Sequence, residues 1–417
     1  MVFLAVMALV IARPRGLNEA WPAVGGAAAL LALGLLSFGD LVAVWRETAG
    51  VLIFLAGMMV VSTVLELAGV FTWAASYAAK ASGGSGRRLL VNVFLLGALV
   101  TALLSLDVTV IILTPIVYAT VVALRIDPLP YLYACTFVAN TGSLIFPMSN
   151  LTNLLVVNRL DLPFWRFTFS MALPDIVSVG VNIAIFLWLF RDRLPGRLPR
   201  EAPASLAPDL PPRPFFRSAT VVLALVLAGL FVSGLAEWPL WPVALAGAVV
   251  LVLVARMTGI DVAHAIVQGV SWPLFLFVWG MATVVQGIEH AGLTQDLARL
   301  VLSGPGGPVG SLAVTGGIAA FGANLFNNIP MTLVMLIVLA AGAPSRVGGL
   351  AAATLIGVNI GSALTTVGSL ATILWLSLVR RQGVEVPVLE YLRVSIITVP
   401  LVLATALAVL ALEGGFR

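Results

Sequence analysis

Two polar stretches stand inside otherwise apolar sequence, Asn140-Thr-Gly-Ser-Leu-Ile-Phe-Pro-Met-Ser-Asn-Leu-Thr-Asn153 and Asn359-Ile-Gly-Ser-Ala-Leu-Thr-Thr-Val-Gly-Ser-Leu-Ala-Thr372. The first offers Asn140, Ser143, Ser149, Asn150 and Asn153, and the second Asn359, Ser362, Thr365 and Ser369. A third polar point, Asn327-Asn328, precedes Ile329-Pro330. Amides and hydroxyls both donate and accept hydrogen bonds, so together they suit a small, neutral, hydroxylated solute. No arginine, lysine or histidine lies in either stretch. A multiply charged anion would therefore have only helix N-terminal dipoles to hold it.

Few titratable groups stand near these stretches. Asp107 lies between two apolar runs, and Glu66 and Glu289 fall late in two matching apolar segments. Carboxylates within spanning segments are costly and tend to line a pathway or pair with one another. Burial makes a carboxyl easier to protonate, which is what proton coupling needs, and Asp107 is the foremost carrier because its counterpart reads as the neutral pair Asn327-Asn328. Asp175, after Pro174, reads as the N-cap of a long span. His290 and His264 read as surface groups. Cys135 is the single cysteine, so no disulfide within the chain, no thiolate cluster and no metal site is expected, and no cofactor is implied. The only lysine, Lys80, is followed by Ala81, which excludes a Walker A loop. The chain reads as a transporter and not as an enzyme.

The elements that must position these groups come in two copies. The polar stretches align without a gap at an offset of 359 − 140 = 219. Gly57-Met58 with Glu66 and Gly69 recurs as Gly280-Met281 with Glu289 and Gly292, and Leu104-Ser-Leu-Asp107 is answered by Asn324-Leu-Phe-Asn-Asn328. Three echoes in one order predict a duplicated unit, residues 45–190 and 268–417, after N-terminal spans in 1–44 and with connecting spans in 218–267. Gly142, Pro147, Gly361 and Gly368 predict broken helices or re-entrant hairpins at the polar stretches. Interrupted segments at corresponding places in two inverted halves are the sequence sign of a secondary transporter.

With 61% hydrophobic and only 10% charged residues, and a mean hydropathy of +1.11, the chain is excluded from the soluble globular class, where charged residues make up about 25%. Apolar runs such as Val51–Leu67, Leu89–Leu104, Val108–Leu124, Ile176–Phe190, Thr220–Ala236 and Val399–Leu412 predict an all-α polytopic membrane protein with about ten to twelve transmembrane segments. A pI of about 9.7 does not point to nucleic acid, because the basic residues sit between apolar runs and mark cytoplasmic loops. The polar segment 191–217, with six arginines and several prolines, reads as a cytoplasmic linker between the halves. Lys80-Arg87-Arg88 and Arg380-Arg381 fall on the cytoplasmic side by the same rule. Met1–Ala12 reads as a short first span and not as a cleaved signal peptide.

Several of these motifs carry a family likeness. Arg13-Pro-Arg-Gly-Leu17, Asp107 before Ile112-Leu-Thr-Pro-Ile116, Ser143 with Ser149-Asn150, Asn327-Asn328-Ile-Pro330 and Gly368-Ser-Leu-Ala-Thr-Ile-Leu-Trp375 together resemble the ArsB-type arsenite efflux permeases of the ion-transporter superfamily, over nearly the whole chain. The resemblance implies export of arsenite and antimonite in exchange for protons across the cytoplasmic membrane of a prokaryote, with optional association with a soluble ATPase; a homodimer is compatible with it. Arsenous acid is neutral near pH 7 and carries a hydroxyl on each arsenic valence, which fits the uncharged stretches. Some relatives carry an acidic residue at the positions of Asn140 or Asn359, and Asn at that of Leu106, which leaves Asp107 as the main coupling group here. Alternatives are a cation/proton antiporter, a carboxylate carrier of the same superfamily, or the membrane subunit of an ATP-driven pump. Ser149-Asn150-Leu151 and Gly368-Ser369-Leu370 depart from the Ser-Asn-Thr tips of the carboxylate carriers.

Overall fold

The computed structural model describes residues 1–12, 17–197, 213–290, 292, 295–303, 307–342 and 344–414. Arg13-Pro-Arg-Gly16 and the middle of the linker lie outside the described residues. Among those described, regular structure is entirely helical. In chain order the helices are α1 (Val2–Ala12), α2 (Ala20–Ala32), α3 (Phe38–Leu67), α4 (Val70–Ala81), α5 (Gly86–Leu103), α6 (Leu106–Val108), α7 (Thr114–Ala123), α8 (Leu129–Thr141), α9 (Leu151–Arg159) and α10 (Phe164–Leu189). The second half brings α11 (Arg213–Leu235), α12 (Trp241–Met257), α13 (Ala263–Gly269), α14 (Trp272–His290), α15 (Gln295–Ser303), α16 (Gly307–Phe326), α17 (Asn328–Ala340), α18 (Pro344–Ile360), α19 (Leu370–Arg381) and α20 (Val388–Leu412). Nine helical segments among the described residues are long and apolar enough to span a bilayer, and four shorter apolar helices accompany them.

The halves repeat element by element. Thus α3, α5 and α10 answer to α14, α16 and α20, and the broken pairs α8–α9 and α18–α19 carry the two polar stretches. They are also inverted. The start of α3 (Val44, Glu47, Thr48) and the end of α14 (Val285, Gln286, Glu289) line one cavity, so these matching helices run in opposite directions. At the other end, Arg193 beyond α10 reaches Glu390 in the first turn of α20 at 3.6 Å.

Close helix approach is symmetric too. At Gly57 on α3 an added Cβ would lie 2.8 Å from the Ala244 carbonyl carbon of α12, and at Gly280 on α14 the same distance from that of Ala23 on α2. Only a residue without a side chain lets the backbones meet so closely. The pair α1–α2 therefore stands to α14 as α11–α12 stands to α3.

Within each half, α5 and α6–α7, and likewise α16 and α17, form a hairpin with a very short tip. The first tip is Leu104-Ser105, where the Ser105 hydroxyl caps the following helix by accepting from Val108 N–H. The second tip is Asn327, whose φ of 77° is left-handed and whose amide oxygen accepts from Ile329 N–H. These matching caps align at 327 − 105 = 222 by the capping residues and at 329 − 108 = 221 by the capped N–H groups, which sets Asp107 opposite Ile329 or Asn328, a neutral residue in either register. Between α6 and α7 the backbone forms a π-turn over Thr109–Leu113, with no counterpart in α17. Such turns recur at functional sites.

A second correction concerns Asp175. It does not cap a helix start, because α10 runs without interruption from Phe164 through Pro174 to Leu189. The helix carries the proline in its interior, and the Ser178 hydroxyl donates to the Pro174 carbonyl at 2.6 Å.

The two ends of the bundle differ in charge. Pro195 of the linker accepts from Gly86 N–H, Asp127 lies 3.9 Å from Arg193, and the Tyr118 hydroxyl donates to the Gln382 carbonyl. Those contacts gather Lys80, Arg87, Arg88, Arg125, Arg193, Arg380 and Arg381 at the linker end. The two basic groups that the sequence assigns to one side, Lys80-Arg87-Arg88 and Arg380-Arg381, thus stand at the same end of the bundle.

Candidate functional site: the meeting of two helix breaks

Helix α8 ends at Thr141 because Gly142 leaves the helical conformation, and the chain then runs irregularly to Asn150, which starts α9 by accepting from Thr152 N–H. Equivalently, α18 gives way after Ile360 to a short 3-10 turn and extended backbone before α19 begins at Leu370. In a membrane such breaks survive only where the freed backbone groups find partners. The sequence supplies them locally. The Ser143 hydroxyl donates to the Asn140 carbonyl at 3.1 Å, and the Ser362 hydroxyl donates to the Asn359 carbonyl at 2.9 Å. Asn153 donates to the carbonyls of Ser143 and Phe146, and Asn150 donates to the Ser143 hydroxyl. Ser149 bridges the break to the first hairpin by donating to the Ala102 carbonyl.

The second break is held by its own hairpin. Asn324 donates to the carbonyls of Ala320 and Gly361 and accepts from both the N–H and the hydroxyl of Thr365. Asn327 donates to the Val367 carbonyl, and Asn328 N–H donates to that of Gly368.

The breaks also meet each other. Thr152 donates to the Asn359 amide oxygen at 2.7 Å, and the Asn359 amide donates to Asn153 at 2.9 Å. Asn140 faces Thr372 at 3.5 Å. Since 372 − 153 and 359 − 140 both equal 219, the Asn140–Thr372 and Asn359–Asn153 contacts are one interaction made twice across the pseudo-twofold.

The structure thus brings Asn140, Ser143, Ser149, Asn150, Asn153, Asn327, Asn328, Asn359, Ser362, Thr365 and Ser369 into one buried cluster, with only Thr365 partly exposed. Most of these groups spend their hydrogen bonds on holding the breaks. Three keep a buried polar atom with no hydrogen-bonding partner among the described residues: the amide oxygens of Asn140 and Asn328 and the hydroxyl of Ser369. These are the atoms the cluster can offer a solute.

Asp107 sits in the first turn after the Ser105 cap, partly exposed, beside the hairpin tip. Glu66 and Glu289 are not brought to the breaks. They fall at the ends of α3 and α14, and inversion sends those ends to opposite faces of the protein. Glu289 accepts from Gln286 and, with the Glu47–Arg159 ion pair, lines a cavity of about 150 Å³ at the end opposite the linker. A larger cavity at that end, about 320 Å³, reaches Pro147 of the first break. On the linker side a packed aromatic cluster of Tyr133, Phe137, Phe186, Phe190, Trp375 and Tyr391 covers the cluster instead.

Sequence reasoning missed several of the site's members. Asp175 is buried in mid-helix, and its carboxylate accepts from the Leu144 N–H at 2.8 Å, so it caps the break and not its own helix. At 395 − 175 = 220 stands Ser395, whose hydroxyl donates to the Leu364 carbonyl at 2.6 Å. Asn182, which donates to the Thr141 hydroxyl, was legible only as a lone amide in an apolar run, and Asn324 only as the first residue of a repeat echo.

Inverted halves, paired hairpins and broken helices meeting at a buried polar centre define a polytopic membrane transporter. The chain resembles, at a TM-score of 0.59 and 16% identity over 90% of its length and 88% of the other, the crystal structure of the Alcanivorax borkumensis YdaH transporter, described as having an unusual topology. Residues 1–412 match the profile of the family described as arsenical pump membrane protein, and the chain belongs to that family. Its relatives include the arsenical pump membrane proteins of Escherichia coli (strain K12), 32% identical over 100% of this chain and 98% of the relative, and of Yersinia enterocolitica, 32% identical over 99% and 97%. A putative arsenical pump membrane protein of Bacillus subtilis is 27% identical over 96% of both chains. It is a multi-pass protein of the prokaryotic inner membrane.

Proposed function

We propose that this protein exports trivalent arsenic and antimony hydroxides from the cytoplasm in exchange for protons, by alternating access. The observation that carries the reading is the uncharged cluster at the meeting of the breaks, where Asn140, Asn328 and Ser369 keep buried polar atoms uncommitted. A neutral trihydroxide both donates and accepts, and such atoms complement it without the cost of burying a charge. Family membership supports the substrate class, since relatives across the full length are named arsenical pump membrane proteins.

Asp107 is the proposed proton carrier. It lies at a hairpin tip beside the break, has no ion-pair partner among the described residues, and has a neutral counterpart in the other half. Glu66 and Glu289, at opposite ends of the protein, suit proton entry and exit better than contact with the solute. The moving unit is proposed to contain both breaks with their hairpins, and the duplicated unit to include α1–α2 and α11–α12, given the matched contacts at Gly57 and Gly280.

The test is uptake of radiolabelled arsenite into everted membrane vesicles without ATP. Uphill accumulation that appears with an acid-inside pH gradient and collapses when a protonophore dissipates it supports exchange. Accumulation that needs ATP and a soluble partner would instead make the chain the membrane subunit of a pump. Transport only of carboxylates or of sodium would remove the arsenite reading.

A further inference from the structure

The face of α8 that leads from Asn140 towards the cytoplasmic end carries polar atoms that the fold leaves without partners. The Asn140 amide oxygen, the Thr136 hydroxyl and the Tyr133 hydroxyl are all buried and have no hydrogen-bonding partner among the described residues. They are spaced four and three residues apart, so they lie one above another on one face of the helix. On the facing helix α19, Thr372 stands opposite Asn140 at 3.5 Å, and three residues on Trp375 stacks near Tyr133, with ring centroids 5.4 Å apart and its indole N–H also unpartnered. An unpaired buried donor or acceptor costs about 1–3 kcal/mol, and native interiors hold few of them. Here they line one seam.

The repeat provides an internal control. At the offset of 219, Thr136, Tyr133 and Trp375 correspond to Leu355, Ala352 and Val156, which form the equivalent seam between α18 and α9 towards the outer end. The architecture therefore does not require polar side chains in that seam, and only the cytoplasmic one has them. We infer that the seam between α8 and α19 is the route by which a small hydroxylated solute passes between the central cluster and the cytoplasm. Its polar atoms hand the solute from Asn140 past Thr136 to the Tyr133–Trp375 pair, which closes the seam in this conformation. The identity of the solute rests on the proposed arsenite export; the location of the route does not.

The experiment uses thiol accessibility in the full-length protein. In a Cys135→Ala background, Thr136→Cys and Leu355→Cys are each introduced, and a small methanethiosulfonate reagent is added to everted vesicles. Thr136→Cys should react about tenfold or more faster than Leu355→Cys, as an accessible thiol does relative to one sealed in apolar packing, and arsenite should slow it. Equal reactivity of the two, or none at either, overturns the inference. Tyr133→Phe gives a second readout. If the hydroxyl were only structural, removing an unpaired buried group would be neutral or stabilising; the route predicts an unchanged or raised melting temperature with efflux slowed severalfold. Wild-type efflux in that variant overturns the role of Tyr133 in the route. Labelling of Thr136→Cys in vesicles that move no arsenite, with no protection by arsenite, would sink the substrate assignment while leaving the route standing.

Discussion

Asp175 offers the sharpest test of how the first break is held. Its carboxylate accepts from the backbone N–H of Leu144 at 2.8 Å, and the residue is buried. Asp175→Leu keeps the bulk but removes every acceptor, leaving the buried Leu144 N–H unpaired. The loss is about 1–3 kcal/mol, a substantial part of the roughly 5–15 kcal/mol that separates folded from unfolded protein. Asp175→Asn retains one acceptor oxygen and should cost about half as much. The order of melting temperatures for purified protein in detergent, followed by fluorescence-detected size exclusion, should be wild type, then Asp175→Asn, then Asp175→Leu. Efflux should fall in the same order. Two results would refute the reasoning. One is Asp175→Leu melting with the wild type, which would mean the hydrogen bond does not hold the break. The other is Asp175→Asn melting with the wild type yet moving no arsenite, which would assign the carboxylate to proton transfer.

Asp107→Asn should insert and melt normally yet lose pH-driven arsenite accumulation, and retained uphill transport would remove Asp107 as the carrier. Ser369→Ala removes an uncommitted hydroxyl, so it should weaken arsenite binding with little change in melting temperature, as read by arsenite protection of a reactive thiol. Asn150→Ala should do the reverse, because Asn150 caps α9 and loss of a cap costs about 0.5–2 kcal/mol. Gly368→Ala should abolish efflux and lower the melting temperature, since the added methyl group would meet the Ser362 carbonyl oxygen at 2.3 Å and the Asn324 amide oxygen at 2.7 Å.

The duplication, the breaks and the membrane setting are legible in the sequence because each leaves a one-dimensional trace: equal spacing, glycine and proline within apolar runs, and runs of spanning length. Partner choice leaves no such trace. Asn140 and Asn359 can be recognised as a matched pair, but their matched contacts to Thr372 and Asn153 cross 232 and 206 positions. Asp175 shows the same limit. An aspartate after a proline reads as a local cap, yet its hydrogen bond goes to Leu144, 31 positions away, because α10 packs its middle against the break. Glu66 and Glu289 look equivalent in sequence, and inversion separates them to opposite faces.

Where the two halves agree, they agree on residues that build the breaks. Asn140 and Asn359, Ser143 and Ser362, and Gly57 and Gly280 make the same contact twice. Such agreement fits two states of similar energy, one opening each way, as alternating access between inverted halves needs. A protein built from identical inverted halves would have no preferred direction and no place to tie one proton to one solute. On the proposed exchange, the directional chemistry therefore falls to residues that lack a twin. Among these are Asp107, opposite a neutral residue, and Tyr133, Thr136 and Trp375 against Ala352, Leu355 and Val156. They stand on the first hairpin tip and on the seam between α8 and α19. Replacing a twinned residue should damage the fold of one break. Replacing an untwinned one should instead change coupling or sidedness while the bundle stays assembled.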